Sequence, residues 1–260
     1  MRRNTEDICK DLMKEFEATL VEELIPGILH NFANPLNGIM GRSKLLQRRL
    51  QNEGSAEDQG HRPAFSPELF NKLTNDINLI SRDTDKLTDL LQTVAEKFYT
   101  VNKTGMERIN LSELIRKEMS FFEFYLEFRH NIKKNIDLDR DIPEITGIPA
   151  EISLSLWSII RFSMQQMKDC EIKELSIATR KENSRVCIDI RNTASGIGEN
   201  SGILTEKLNA GELLLDGNHP YCSLLRAFFL LKKYDAGFTI GRESGSSLIS
   251  ITIPYRKISN

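Results

Sequence analysis

The chain has 260 residues, 40% of them apolar and 28% charged, with a formal net charge of −2. That length can support one or two domains with true cores, and the balanced charge excludes the basic excess of a nucleic-acid binder. The four cysteines (Cys9, Cys170, Cys187 and Cys222) lack CxxC spacing, which predicts reduced thiols rather than a disulfide frame or a metal site.

The opening stretch MRRNTEDICKDLMKEFE breaks into charges at once. No run nears the ~20 apolar residues of a membrane span. A cytoplasmic protein without membrane contact is expected. Residues 4–52 read as one long helix. Leu12, Phe16, Leu20 and Leu24 start an apolar stripe that Ile25, Ile28, Phe32, Leu36 and Ile39 continue at helical spacing. Pro26 and Pro35 fall inside it, and each removes a backbone donor, so bends are expected there. His30 lies off the stripe, on a face shared with Asn34, Asn37 and Gly41, and with Gly27 one turn earlier. An imidazole on the wet side of a helix is neutral for much of the time near pH 7 and open to a visiting electrophile.

Residues 53–65 form a polar turn. Ser66-Pro67-Glu68 then carries the marks of a helix start: a hydroxyl N-cap, proline in the first turn and an acid near the dipole's positive end. Leu73, Ile77, Ile80, Thr84, Leu87, Leu91, Val94 and Phe98 follow at alternating spacings of three and four, a heptad seam. Two such helices make a hairpin too apolar to cover itself. Pairing of two hairpins into a four-helix bundle, hence a homodimer, is predicted.

The periodicity stops around Asn102 to Glu107, and VNKTGMERIN, residues 101–110, reads as a linker. Beyond it come a helix over 111–128, a strand over 131–138, a turn-rich segment, and a helix over 152–167. A strand pair follows over 175–180 and 185–191, then an apolar helix over 221–234 and a last strand pair over 236–242 and 247–255. The mixture predicts an α+β sandwich, one sheet covered on one face by helices. The expected division is 1–103 for the helical hairpin and 104–260 for the sandwich.

The string His30-Asn31-Phe32-Ala33-Asn34-Pro35 resembles the phospho-acceptor box of two-component histidine kinases, which carries His, an acid, two free positions, Asn or Thr, then Pro. Asn31 departs from it. The layout of 104–260 resembles the Bergerat-type ATP-binding domain of the same family. Its nucleotide boxes have drifted. Phe162 and Gln166 stand where the family has asparagines, the second of which holds magnesium. Asn192 replaces the aspartate that accepts from adenine, in a stretch with Ala194 and Gly196 where the family has two glycines. Gly217 is the lone glycine of the phosphate loop Gly217-Asn218-His219-Pro220-Tyr221-Cys222, and Pro220 has no N–H to offer.

The resemblance implies a dimeric acceptor hairpin followed by a degenerate ATPase-like domain. His30 would carry a phosphoryl group to or from a receiver-domain aspartate. Asn34 would position that group or a water, and Asn31, Asn37 and Gly41 would belong to the docking surface. ATP, a bound metal and any other cofactor are not expected; the receiver would bring its own magnesium. A receiver domain, a second copy of the chain and an upstream histidine kinase are the implied partners, with no nucleic acid or membrane. Two alternatives stand beside this: a sensor histidine kinase with a divergent nucleotide site, and a non-catalytic dimeric regulator. His61, His130 and His219 read as surface or loop residues.

Overall fold

The structure, a computed structural model, describes residues 5–54, 66–195, 201–210, 221–243 and 245–255. The chain divides into two compact units. One comprises Ile25–Ala95, the other Met1–Leu24 together with Glu96–Asn260.

The first unit is a helical hairpin. Its helices are α2 (Ile25–Gly54) and the greater part of α3 (Pro67–Val101). Ser66 starts α3 as its residue type predicts: its Oγ accepts from Leu69 N at 3.1 Å. Two ion pairs clasp the hairpin, Arg42 with Asp83 and Arg49 with Asp76, and both aspartates are buried. The pairs lie seven residues apart on each helix and run in opposite senses, which sets the antiparallel register at two full turns. A Cβ at Gly38 would fall on the Asp83 carboxylate and within 2.9 Å of the Arg42 guanidinium, so glycine is what lets the clasp close.

The apolar stripe of α2 is only half covered. Ile28, Phe32 and Ile39 are partly exposed; Ile25 and Leu36 are exposed, as are Leu29 and Met40. The line that does bury in α2 is Gly27, Asn31 and Pro35, one turn apart. This corrects the expected stripe. On α3, Ile77 and Leu91 of the heptad seam are exposed too.

The second unit starts with α1 (Thr5–Thr19), and Leu20–Leu24 then forms a π-helical turn. The expected single helix over 4–52 is thus interrupted before Pro26. The wider turn falls where the proline removes a donor from the helical ladder. Past α3 come β1 (Glu107–Ile109), α4 (Leu111–Phe122), α5 (Leu126–Asn131), β2 (Lys133–Leu138), β3 (Ile145–Gly147), α6 (Pro149–Gln166), β4 (Glu174–Glu182) and β5 (Arg185–Asn192). The chain ends with α7 (Ser201–Ala210), α8 (Cys222–Lys232), β6 (Gly237–Glu243) and β7 (Ser246–Pro254).

β2-β4-β5-β7-β6 form a mixed sheet of five strands in which only β2 and β4 run parallel. Alternation puts Phe238, Ile251, Ile188 and Thr179 in one cross-strand row and Ile240, Ile249, Ile190 and Ile177 in the next. Both rows are buried. The opposite face is polar and is tied by Asp189, which Ser250 reaches at 2.7 Å and which pairs with Arg180 and Arg191. The α+β sandwich read from the sequence is therefore present.

Three local expectations change. The helix over 111–128 is two helices, broken at Glu123–Tyr125 by tight turns whose aromatic residues are pinned in the core. Phe124 meets Phe121 edge-on at 5.8 Å, and Tyr125 stacks on Phe122 at 5.1 Å and accepts from Trp157 Nε1 at 3.0 Å. The linker over 101–110 contains β1, which pairs antiparallel with β3 from the turn-rich segment. Helix α7 was not expected. It covers the β6 edge: Asn209 donates to Phe238 O (2.8 Å) and accepts from its N (3.2 Å), and Thr205 accepts from Ile240 N (3.1 Å).

The compact units also cut the chain differently from the 103/104 division. α1 buries Ile8, Leu12 and Phe16 completely, and Phe16 meets Trp157 edge-on at 5.2 Å. The C-terminal turns of α3 join the same core. Lys97 is buried there, donating to Glu118 (2.7 and 2.8 Å) and to Ser153 (2.8 Å) beside the rings of Phe16 and Phe121. Desolvation holds the Lys97 ammonium below its usual range, against the pull of Glu118.

Candidate functional site

His30 sits on α2, and its side chain is exposed. Asn34, Asn37 and Gly41 are exposed as well, so the structure keeps the predicted face open to solvent from His30 onward. Gly27 is the exception and is buried. Asn31 is only 2% exposed, so of the docking residues it alone lies out of a partner's reach. Its Oδ1 stands 3.5 Å from His30 Nδ1. An amide oxygen there can only accept, which favours the Nδ1–H tautomer and leaves the lone pair on Nε2 for an incoming electrophile. The amide differs from the family's acid in one respect: it cannot take the ring proton. Leu29 is 63% exposed and Met40 54% exposed beside this face, giving it apolar flanks.

In the α/β unit the drifted nucleotide positions have local partners. Asn192 is buried, and its Oδ1 accepts from Ala194 N at 3.0 Å. The oxygen that could have met an adenine amino group closes an Asx turn instead. Phe162 is buried and packs edge-on against Tyr221 at 5.6 Å. Gln166 is half-buried at the end of α6. Gly196 and Gly217, and with them His219 and Pro220, lie outside the described residues, as does His61; His130 is exposed at the end of α5.

Sequence reasoning missed a cluster where α1 meets α6 and α8. Ser223, in the first turn of α8, donates to the Glu15 carboxylate at 2.6 Å to either oxygen. Arg161 reaches Glu15 at 3.4 Å and Glu23 at 2.6 Å, while Arg226 lies 3.8 Å from Glu15 and 3.6 Å from Asp11. The Glu15 carboxylate is thus held inside the unit by the Ser223 hydroxyl, in the first turn of α8, and by Arg161. The only signal was the run of acids on one face of α1, which reads equally well as a solvated surface. Among the described residues no group of three or more His, Cys, Asp or Glu side chains could hold a metal. Also among them, no helix is long and apolar enough to cross a membrane.

An exposed acceptor-type histidine on a helical hairpin, followed by a mixed sheet under helices, is the arrangement of a histidine-kinase-like two-component protein. The particular proteins it is similar to are these. The sensory histidine kinase/phosphatase NtrB of Proteus hauseri is 23% identical over 161 residues, which are 62% of this chain and 40% of that protein. The matched region therefore spans well under half of the relative. Among solved structures, histidine kinase ThkA in complex with response regulator protein TrrA is 18% identical over 95% of this chain and 65% of that one, with a TM-score of 0.46. A bacterial phosphotransferase is 12% identical over 96% and 98%, with a TM-score of 0.41. No protein-family model matches the chain. The chain is similar to the two-component histidine kinases.

Proposed function

We propose that His30 is a phosphoryl carrier, exchanging its group with the aspartate of a response-regulator receiver domain without drawing on ATP. The observation that carries the reading is the exposed imidazole with Asn31 Oδ1 beside Nδ1 and three small polar or glycine neighbours in the open. In the step, Nε2 attacks the acyl-phosphate phosphorus. An N–P bond forms, the P–O bond to the carboxylate breaks, and the ring carries the positive charge until a proton leaves. Asn34, one turn away, is the group to orient the phosphoryl oxygens or a water. The receiver would supply its own carboxylates and magnesium. We also propose that two chains pair through the exposed apolar residues of the hairpin.

Three contacts support a silent nucleotide site: the Asx turn that uses the Asn192 oxygen, the Phe162–Tyr221 ring pair, and Glu15 against Ser223. A second reading, a sensor kinase with a divergent pocket, is favoured by the relative NtrB, which is a kinase/phosphatase, and the comparisons as a whole lean that way. One experiment separates the two. The chain is incubated with γ-labelled ATP and magnesium, and in parallel with a labelled phospho-receiver. Our reading expects acid-labile, alkali-stable label only in the second mixture, and none in His30→Ala. Label from ATP alone would establish the kinase.

A further inference from the structure

A cleft of about 540 Å³ opens in the α/β unit, with none of Phe162, Gln166 and Asn192 among its lining residues. Its walls are Cys9 and Met13 of α1, Val101 at the end of α3, and Ile148 and Ala150 at the start of α6. That volume suits a small organic molecule. The charges at its edge are already matched within the protein. Lys10 meets Glu6 at 3.0 Å, and Lys233 meets Glu151 at 2.8 and 3.0 Å, with the Tyr234 hydroxyl also donating to Glu151. The Lys10–Glu6 pair is open to solvent, but a charged visitor that drew Lys233 away would leave the buried Glu151 carboxylate uncompensated. Burial beside Glu151 also pushes the Cys9 thiol up, so it stays neutral and adds to the apolar wall.

We propose that this cleft is a binding site for a small, uncharged, largely apolar molecule. The site goes beyond the phosphoryl-carrier reading and stands or falls without it. Its position gives it a use: α1 and α3, which line it, are the helices whose chain continues into the hairpin that bears His30. A molecule seated here would bias the packing of both helices against α6.

The test uses the full chain and the uncharged fluorophore N-phenyl-1-naphthylamine. A saturable rise in emission at one site per chain is expected. Binding should weaken at least tenfold in Met13→Trp and in Cys9→Phe, which fill the cleft from its wall, and stay unchanged in Leu29→Lys/Met40→Lys, which alters the open hairpin face. The probe should also slow modification of Cys9, but not of Cys170, by a small neutral thiol reagent in the wild type, a readout that does not depend on the variants folding. No saturable binding, no protection of Cys9, or loss of binding in the hairpin variant alone would overturn the site. Displacement by the anion 8-anilinonaphthalene-1-sulfonate at equal concentration would overturn its uncharged chemistry.

Discussion

At the scale of single residues, two nitrogens and one amide decide what His30 can do. Asn31 Oδ1 favours the Nδ1–H tautomer but cannot accept the ring proton. Placing an acid there tests which deficit matters. In Asn31→Asp the ring nitrogen resonances of His30, followed by NMR, are expected to move as a carboxylate comes beside Nδ1. Labelling from ATP should stay absent, because the Asn192 and Ser223 contacts are untouched; its return would place the whole defect at Asn31. Cys187 offers a pH test elsewhere. Its thiol donates to Glu182 at 3.3 Å, and burial first, then Glu182, pushes it up to about 11 from 9.0. Between those values the folded chain keeps a proton that the unfolded chain releases, so stability falls as pH rises, by at most about 2–3 kcal/mol. Thermal melts of Cys187→Ser should lose less between pH 9 and 11 than those of the wild type. Equal losses would assign the alkaline fall to Tyr125 and Tyr234, whose hydroxyls burial also pushes up.

At the scale of elements, the hairpin and the sheet were legible for different reasons. The start of α3 followed from one hydroxyl and one proline, and the β4–β5 and β6–β7 pairs followed from alternation that the buried rows reproduce. Other elements carried no pattern to read. β1 and β3 are three residues each, too short for a period to register. The break at Glu123–Tyr125 is imposed by tertiary packing of rings that a helix could also have carried. In α2 the buried line runs through a glycine, an asparagine and a proline, none of which counts as apolar. The clasp is the testable part of the hairpin. Asp83→Ala strips the buried partner from Arg42 and should cost about 2 kcal/mol by denaturant unfolding. Gly38→Ala should cost a similar amount, because its Cβ would push the clasp apart. If neither moves the midpoint, the clasp does not hold the helices.

At the scale of the whole molecule, α1 belongs to the α/β unit, although the sequence pattern joins it to the helix that bears His30. Complete burial of Ile8, Leu12 and Phe16 contributes about 6 kcal/mol, comparable with the whole stability of a domain. A fragment of residues 96–260 is therefore expected to remain unfolded by circular dichroism and to recover when a peptide of residues 5–24 is added. Cooperative folding of the fragment alone would detach α1. The proposed pairing of two chains through the open apolar positions of the hairpin is testable at this scale. Leu36→Glu with Leu91→Glu should turn a sedimenting dimer into a monomer that keeps its helical signal; an unchanged mass would exclude pairing through that face. The central claim is chemical, and phosphorus NMR reads it most directly. After mixing with a phosphorylated receiver, the wild-type chain should show an N-phosphoryl imidazole resonance that His30→Ala lacks. The same resonance in His30→Ala, or none in the wild type while the receiver loses its phosphate only to water, would contradict it.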